Sequence, residues 1–320
     1  KAGIKHTPEN IIRITQDPKG KIIFLETGKA GDKGSGLLHI LENHREDFLK
    51  IALRGHEVQV PKVLKPNEFG GEFRGIPIAP GAGDNAGAAL GVGAEPGDVV
   101  VSLGTSGTAF AVSETSTHDA TGSVAGFADA TGKFLPLVCT LNAARILDAA
   151  CKLLKVSHDE LANLALSASA GANGLTLLPY FEGERTPNRP NARGTLHGLS
   201  LNNSDPANIA RAYIEGMLCG LADAVFSLEK LDVAVNRILL VGGAAKNPAV
   251  PEIASSIFGR KVIVPPPGEY VANGAARQAA WALTGQLPNW LIGDTQVIES
   301  KHFPEVFSKY QELVTKTKNF

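Results

Sequence analysis

The stretch that decides the fold is DVVVSLGTSGTAFAV, residues 98–112, in which two β-rich runs flank five small residues. Residues 98–103 and 109–112 are mostly valine, alanine and other apolar side chains, whereas residues 104–108 are only glycine, threonine and serine. The pattern predicts a strand, a tight loop and a second strand. Small residues let backbone N–H groups approach phosphate oxygens closely, and three hydroxyls add further donors. Taken alone, the stretch also fits a plain turn, and it lacks the Gly-Lys-Ser/Thr ending of a Walker A motif.

A second glycine-rich stretch precedes this hairpin: GAGDNAGAALGVG, residues 81–93, places Asp84 in a turn directly before an alanine-rich helix. Backbone N–H groups at a helix N-terminus favour a nearby negative charge. Phosphoryl transfer needs a carboxylate to orient the attacking hydroxyl and to accept its proton. On the local sequence alone, a helix-capping role for Asp84 is the simpler interpretation.

A third glycine-rich turn follows the strand RILLV, residues 237–241, in the sequence VGGAAKNP, residues 241–248. Paired glycines between a strand and a helix can admit a flat ring or a phosphate against the backbone. The same letters fit an ordinary tight turn, with Asn247 as N-cap and Pro248 as the first helical residue.

The remaining periodicity predicts alternating helices and strands. Five helices are expected. The first covers residues 140–154, the second begins at the capping box of Ser157 and Glu160, and the third continues for about 25 residues from Asp205. The last two extend from Asn247 to Gly259 and from Asn273 to Gly285. A further strand is expected at residues 261–264. This order is typical of an α/β domain.

Composition excludes several classes of protein. With 31 basic and 32 acidic residues among 320, the net charge of −1 argues against nucleic acid as the main partner. No apolar run approaches the roughly 20 residues of a membrane-spanning helix, so we expect a cytoplasmic protein. Cys139, Cys151 and Cys219 form no CxxC pair and are expected to be buried, reduced thiols.

Residues 1–47 differ from the rest and are predicted to form a short α+β segment, with a domain boundary near residue 48. Two strands are expected around the turn at residues 17–20, followed by the helical segment LLHILENH. The segment faintly resembles a small phage-associated nuclease-fold module, with His39 and His44 as candidate acid–base residues. Solvated helix histidines are the simpler interpretation, and a metal role is not expected because no third ligand is nearby.

From about residue 48 onward the chain resembles the FGGY carbohydrate kinases, and within that family it is most similar to kinases of ketopentoses such as D-xylulose. The three glycine-rich stretches occur in the family's order, together with other matching segments. These are VPKVLKP (60–66), LLPYFEGERTPNRPNARGTLHGLS (177–200), YIEG (213–216) and NGAARQAA (273–280).

The resemblance implies a fold, cofactors and roles for individual residues. It implies an actin-like (ribonuclease H-like) ATPase domain, residues 48–320, which would be the C-terminal nucleotide-binding half of a kinase that uses ATP and Mg²⁺. It makes Asp84 the general base and Asn85 a sugar contact. The other implied site residues are Gly104, Thr105, Ser106 and Gly107 in a phosphate loop; Gly242, Gly243, Ala244 and Asn247 in an adenosine pocket; and Glu184 and Arg185 as substrate-binding residues that fix the loop between nucleotide and sugar. For Arg185 a structural ion pair is the alternative. No metal ligand is assigned within this chain.

One departure from the family limits the expected activity. Residues 1–47 contain no Gly-x-Asp-x-Gly/Ser-Thr string, the second phosphate loop that works with Mg²⁺ in complete kinases. We therefore expect weak or no turnover, and self-association through the apolar surface that a missing N-terminal lobe would leave exposed. The alternatives are a non-catalytic nucleotide-binding or subunit-forming module, and a fusion whose active part is the N-terminal segment.

Overall fold

A computed structural model describes residues 11–16, 22–26, 63–290 and 292–318. The chain divides into two compact units, Lys1–Val63 and Leu64–Phe320. In the first unit, β1 (Ile11–Gln16) and β2 (Ile22–Glu26) pair antiparallel, which confirms the two strands predicted there. The predicted turn, the helical segment with His39 and His44, and the boundary near residue 48 all lie outside the described residues.

The second unit contains alternating strands and helices. In chain order these are β3 (Gly71–Phe73), β4 (Ile76–Ile78), α1 (Asp84–Gly91), β5 (Asp98–Leu103), β6 (Gly107–Ala111), β7 (Ala125–Ala128), β8 (Phe134–Thr140), α2 (Arg145–Leu154), α3 (His158–Ser167), β9 (Thr176–Leu178), β10 (Thr195–His197), α4 (Pro206–Glu229), β11 (Arg237–Val241), α5 (Ala249–Phe258), β12 (Val262–Val264), α6 (Tyr270–Thr284), β13 (Gln296–Ile298) and α7 (Pro304–Lys316). Short 3₁₀ helices occur at Ala172–Gly174 and Gly243–Lys246.

A seven-stranded mixed sheet in the order β13-β12-β11-β5-β6-β8-β7 forms the centre of this unit. β11 runs parallel to both β5 and β12, and the other neighbours are antiparallel. At one end of the central pair, Arg237 binds Asp98 through two hydrogen bonds of 2.6 and 3.0 Å. This bidentate pair helps to fix the register of β11 on β5.

Helices cover both faces of the sheet. Val99, Val101 and Leu103 of β5 pack into a core that α2, α3, α4, α5 and α7 share, whereas Val100 faces the opposite core beneath α1. The period-two alternation of β5 therefore supplies apolar contacts to both layers. Two layers of helices around one sheet confirm the predicted α/β class.

Several local predictions are confirmed by hydrogen bonds at helix starts. The carboxylate of Asp205 accepts from the backbone N–H groups of Ala207 and Asn208, both at 3.0 Å, and the helix continues for 24 residues. The capping box is present, because Glu160 N donates to Ser157 Oγ and Ser157 N donates to Glu160 Oε2.

Two predicted helix starts are wrong. Helix α2 begins at Arg145 rather than near residue 140, because β8 continues to Thr140, which pairs with Gly107. Helix α6 begins at Tyr270, so the Asn273-Gly274 pair lies inside it. Gly274 is needed there for packing, since a Cβ atom would overlap the backbone of Gly87 in α1.

The three thiols are also less uniform than predicted. Cys219 is buried, whereas Cys139 and Cys151 are only partly buried. Among the described residues, no helix combines the length and apolarity required to cross a bilayer.

Candidate active site

The candidate site lies at the edge where β5 and β11 end side by side. The two strands are parallel, with Val241 opposite Ser102, so the turns that follow them are neighbours. Gly242 has a φ of 101°, and a Cβ there would lie 2.6–2.8 Å from the backbone atoms of Leu103. Because L side chains rarely adopt this conformation and no space remains for one, Gly242 allows the paired-glycine turn to lie directly against the end of β5.

The hairpin after β5 is tight and partly open to solvent. Leu103 pairs with Gly107, and the intervening turn exposes Thr105 and Ser106. Gly107 itself is buried, since a Cβ there would lie 2.7 Å from both Leu221 Cδ2 and Thr140 Oγ1. The hairpin therefore presents small residues and two exposed hydroxyl side chains at the same edge as the Gly242 turn.

Asp84 is the first residue of α1 and its side chain is exposed. Its Oδ1 accepts hydrogen bonds from the backbone N (2.7 Å) and the side-chain Nδ2 (3.1 Å) of Asn85. The N-cap residue is Gly83, which provides no side-chain cap, so Asp84 does not occupy the N-cap position. Its carboxylate lies at the positive end of the helix dipole, open to solvent.

Helix α1 is held in place by close helix–helix packing. A Cβ at Gly91 would overlap the carbonyl of Tyr270, and one at Gly274 would overlap that of Gly87. The two helices thus approach backbone to backbone, while Ala86, Ala89 and Leu90 of α1 pack into the core beneath. This contact fixes the position of the helix whose first residue is Asp84.

The environment of Cys139 links Asp84 to the hairpin. Cys139 lies opposite Thr108 in the β6–β8 pair. Burial raises the pKa of the Cys139 thiol, the positive charge of Arg185 lowers it, and the negative charge of Asp84 raises it further. Asp84 and Arg185 therefore both lie within electrostatic range of a residue that borders the hairpin.

Glu184 occupies a very different environment, with only 3% of its surface exposed. Its carboxylate accepts from the backbone N of Leu141 (2.6 Å), the backbone N of Arg185 (2.8 Å) and Asn142 Nδ2 (2.9 Å). Burial raises the pKa of Glu184, and these hydrogen bonds partly offset the effect. The carboxylate fixes a loop, while the adjacent Arg185 is exposed. A direct substrate contact by either residue stays a prediction.

The residues predicted for the adenosine pocket separate into two groups. Gly242 and Gly243 are exposed, and a Cβ at Gly243 would meet nothing within 4 Å, so this part of the turn is open. Ala244 is buried in the core. The side chain of Asn247 accepts from Ala249 N (3.0 Å) and donates to the carbonyl of His158 (3.2 Å), which joins the start of α5 to α3.

Sequence reasoning missed Asn142, which is 2% exposed and donates from Nδ2 to the carbonyl of Gly183 (2.7 Å) as well as to Glu184. It lies between β8 and α2, where the apolar spacing indicated only a helix. The neighbouring sequence gives no signal for the role of Asn142, because its hydrogen-bond partners lie about forty positions further along the chain.

The carboxylates fit a metal ion that binds together with substrate phosphates better than one bound by protein ligands alone. In the part of the chain that the structure describes, no three His, Cys, Asp or Glu side chains form a metal-binding group. Mg²⁺ commonly binds one or two carboxylates together with substrate phosphates. Asp84 offers one exposed carboxylate, which fits that mode.

A mixed sheet covered by helices on both faces, with glycine turns after β5 and β11 at one edge, is the arrangement of the actin-like (ribonuclease H-like) class of ATPase domain. The model for the FGGY family of carbohydrate kinases, C-terminal domain, matches residues 99–283, and the chain belongs to that family.

Named relatives agree with this assignment. A xylulose kinase from Streptomyces rubiginosus is 41% identical over 238 residues, which cover 72% of this chain and 48% of the relative. One from Streptomyces coelicolor is 41% identical over 237 residues, covering 71% and 47%. The crystal structure of xylulose kinase from Bifidobacterium adolescentis superposes with a TM-score of 0.75 at 46% identity, covering 82% of this chain and 55% of that one. The chain spans about half the length of the curated relatives it matches.

Proposed function

We propose that this chain supplies the ATP-binding part and the general base of a sugar kinase that phosphorylates the terminal hydroxyl of a ketopentose such as D-xylulose. The observation that carries the proposal is the backbone contact between Gly242 and Leu103. The contact puts the turn at Gly242 against the end of β5, so that one nucleotide could reach both turns. Asp84 is the exposed carboxylate proposed to act beside them. The relatives named xylulose kinase support the choice of sugar.

In this proposal Asp84 accepts the proton of the sugar hydroxyl as that oxygen attacks the terminal phosphorus of ATP. Its exposure leaves room for an incoming hydroxyl, and the two hydrogen bonds from Asn85 fix the orientation of the carboxylate. Asn85 is also the proposed sugar contact.

The nucleotide would bind across the two glycine turns. Backbone N–H groups and hydroxyls of residues 104–107 would hold phosphate oxygens, while the open surface at Gly242 and Gly243 would receive the adenosine. Asn247 would shape this pocket indirectly, because its side chain holds the start of α5. Glu184 would position the loop that presents Arg185 toward the site.

Mg²⁺ would bind mainly to the phosphate oxygens, and Asp84 is the residue of this chain placed to contact it. When bound, the ion offsets negative charge on the transferring phosphoryl group. The residues of the chain orient the hydroxyl, accept its proton and bind the phosphates.

Calorimetry with a non-hydrolysable ATP analogue and Mg²⁺, combined with an ADP-release assay with D-xylulose, tests the proposal. We expect saturable binding of the analogue and weak, xylulose-dependent ADP release that Asp84→Asn abolishes. Binding without any turnover would select the alternative of a nucleotide-binding module. A folded chain that does not bind the analogue would contradict both functions.

A further inference from the structure

The four-residue segment that connects β8 to α2, residues 141–144, contacts two parts of the candidate site at once. On one side it meets the loop that bears Arg185. Leu141 N donates to Glu184 Oε1, and Asn142 Nδ2 donates to Glu184 Oε2 and to the carbonyl of Gly183. We call this set of four residues, Leu141, Asn142, Gly183 and Glu184, the Asn142–Glu184 clamp.

On its other side the same segment supports the hairpin. The backbone N of Ala144 donates to the carbonyl of Gly104 at 2.9 Å. A Cβ at Gly107 would lie 3.3 Å from Ala143 Cβ, so the two backbones are in close contact. Both ends of the hairpin are thus tied to residues that directly follow Asn142.

The hydrogen bonds of Asn142 are all made by one end of its side-chain amide. Its Oδ1 is buried and lacks a partner within the described residues, although its Nδ2 serves two acceptors. An unmet buried acceptor is unfavourable, whereas loss of Nδ2 would leave the Glu184 carboxylate and the Gly183 carbonyl without this donor. The donor side of the amide is therefore the part that contributes, and both of its bonds go to the loop of Arg185.

We propose that Asn142 is a positioning residue that couples the Arg185 loop to the hairpin at residues 104–107, so that the nucleotide meets one pre-ordered surface. The inference rests on the proposed function, because it assigns the hairpin to the phosphates. Without the clamp, the hairpin and the loop would have to be ordered during binding, and that ordering lowers affinity.

The test compares two buried asparagines in the full chain. Asn203 is also 2% exposed, and its Nδ2 also donates to two acceptors, which are the carbonyl oxygens of Asn173 and Gly198. Both contacts lie in the segment before α4, outside the hairpin, the Gly242 turn and the Arg185 loop. Asn203→Leu is thus a matched control for the loss of a buried amide.

We expect Asn142→Leu to raise the Kd of the non-hydrolysable ATP analogue by about tenfold, because the hairpin and the Arg185 loop would then be ordered only on binding. Asn203→Leu should lower the melting temperature without changing this Kd. Equal Kd values in Asn142→Leu, Asn203→Leu and the unchanged chain would overturn the inference.

A second variant covers the case in which Asn142→Leu does not fold. Glu184→Gln retains an oxygen acceptor but loses the charge on the other side of the clamp, and a smaller rise in Kd is expected. An unchanged Kd in this variant would overturn the inference, while the unchanged chain's own binding would leave the proposed function standing. If the unchanged chain did not bind the analogue, the proposed function would fail and the inference with it.

Discussion

Two carboxylates of the candidate site, Asp84 and Glu184, have opposite environments. Asp84 is exposed on a helix that glycine-to-backbone packing holds in place, and its hydrogen-bond donors come from the adjacent Asn85. Glu184 is buried and accepts from three groups on two segments of the chain. One side chain is thus open to solvent, whereas the other is fixed by hydrogen bonds within the chain. Substitutions at each position should therefore affect different properties.

The largest effect should follow substitution of the exposed carboxylate. Asp84→Asn should reduce xylulose-dependent phosphoryl transfer about 1000-fold, the usual scale for loss of a general base. The free energy of unfolding should stay within about 0.5 kcal/mol of the unchanged chain, because the side chain is exposed. A radiolabelled-phosphate assay and urea unfolding measure the two quantities. Retained turnover in the variant would remove Asp84 from the mechanism.

Glu184→Ala should mainly reduce the free energy of unfolding, by about 3 kcal/mol. The reason is that the donors on Leu141, Asn142 and Arg185 would lose their acceptor inside the protein. Urea unfolding checks the value. Glu182→Ala is the control, since the exposed Glu182 pairs with Arg145 at the surface and should cost less than about 1 kcal/mol. Similar losses in the two variants would show that the clamp does not carry the stability assigned to it.

The packing that locates Asp84 can be tested at Gly274. Gly274→Ala should destabilise the chain by about 2 kcal/mol, because the added methyl group overlaps the backbone of Gly87 and forces α1 and α6 apart. Gly243→Ala is the matched control, since its Cβ would meet nothing within 4 Å. Thermal unfolding of both variants provides the comparison, and equal melting temperatures would rule out the close helix contact.

The smallest expected effect is a dependence on pH. Burial raises the pKa of Glu184, so the folded chain binds its proton more tightly than the unfolded chain does. The proton-linked part of the contribution of Glu184 to stability is therefore fully present below the unfolded pKa and is lost as the pH rises through the higher folded pKa, whereas the hydrogen bonds that its carboxylate accepts remain. Relative to Glu184→Gln, the unchanged chain should lose stability as the pH rises from about 4.5. An increase in relative stability over this range would show that the folded pKa is lowered instead.

The elements that local pattern determines were predictable from the sequence. The strand at residues 237–241 has the predicted bounds, and so does the one at residues 98–103. Asp205 begins the long helix and Gly259 ends α5, because capping and left-handed glycine conformations are encoded within a few residues. The three glycine-rich stretches were likewise visible as candidate site segments.

Features that depend on distant contacts were not predictable. The sequence Asn273-Gly274 is typical of a helix start, yet Gly274 lies inside α6. A glycine is needed there because the backbone of α1 at Gly87 packs against it. Glu184 was predicted to bind substrate and to fix the loop between nucleotide and sugar, but its hydrogen bonds with residues 141 and 142 could not be read from the sequence. No local pattern reports such partners, since they meet only after the sheet has formed.

The most direct test of the central claim is a crystal structure of the chain with a non-hydrolysable ATP analogue and Mg²⁺. We expect phosphate oxygens to contact the backbone N–H groups of residues 104–107 and the adenosine to lie on the turn at Gly242 and Gly243. The Asp84 carboxylate should face the terminal phosphate. An analogue bound at another surface, with both glycine turns bare, would contradict the central claim.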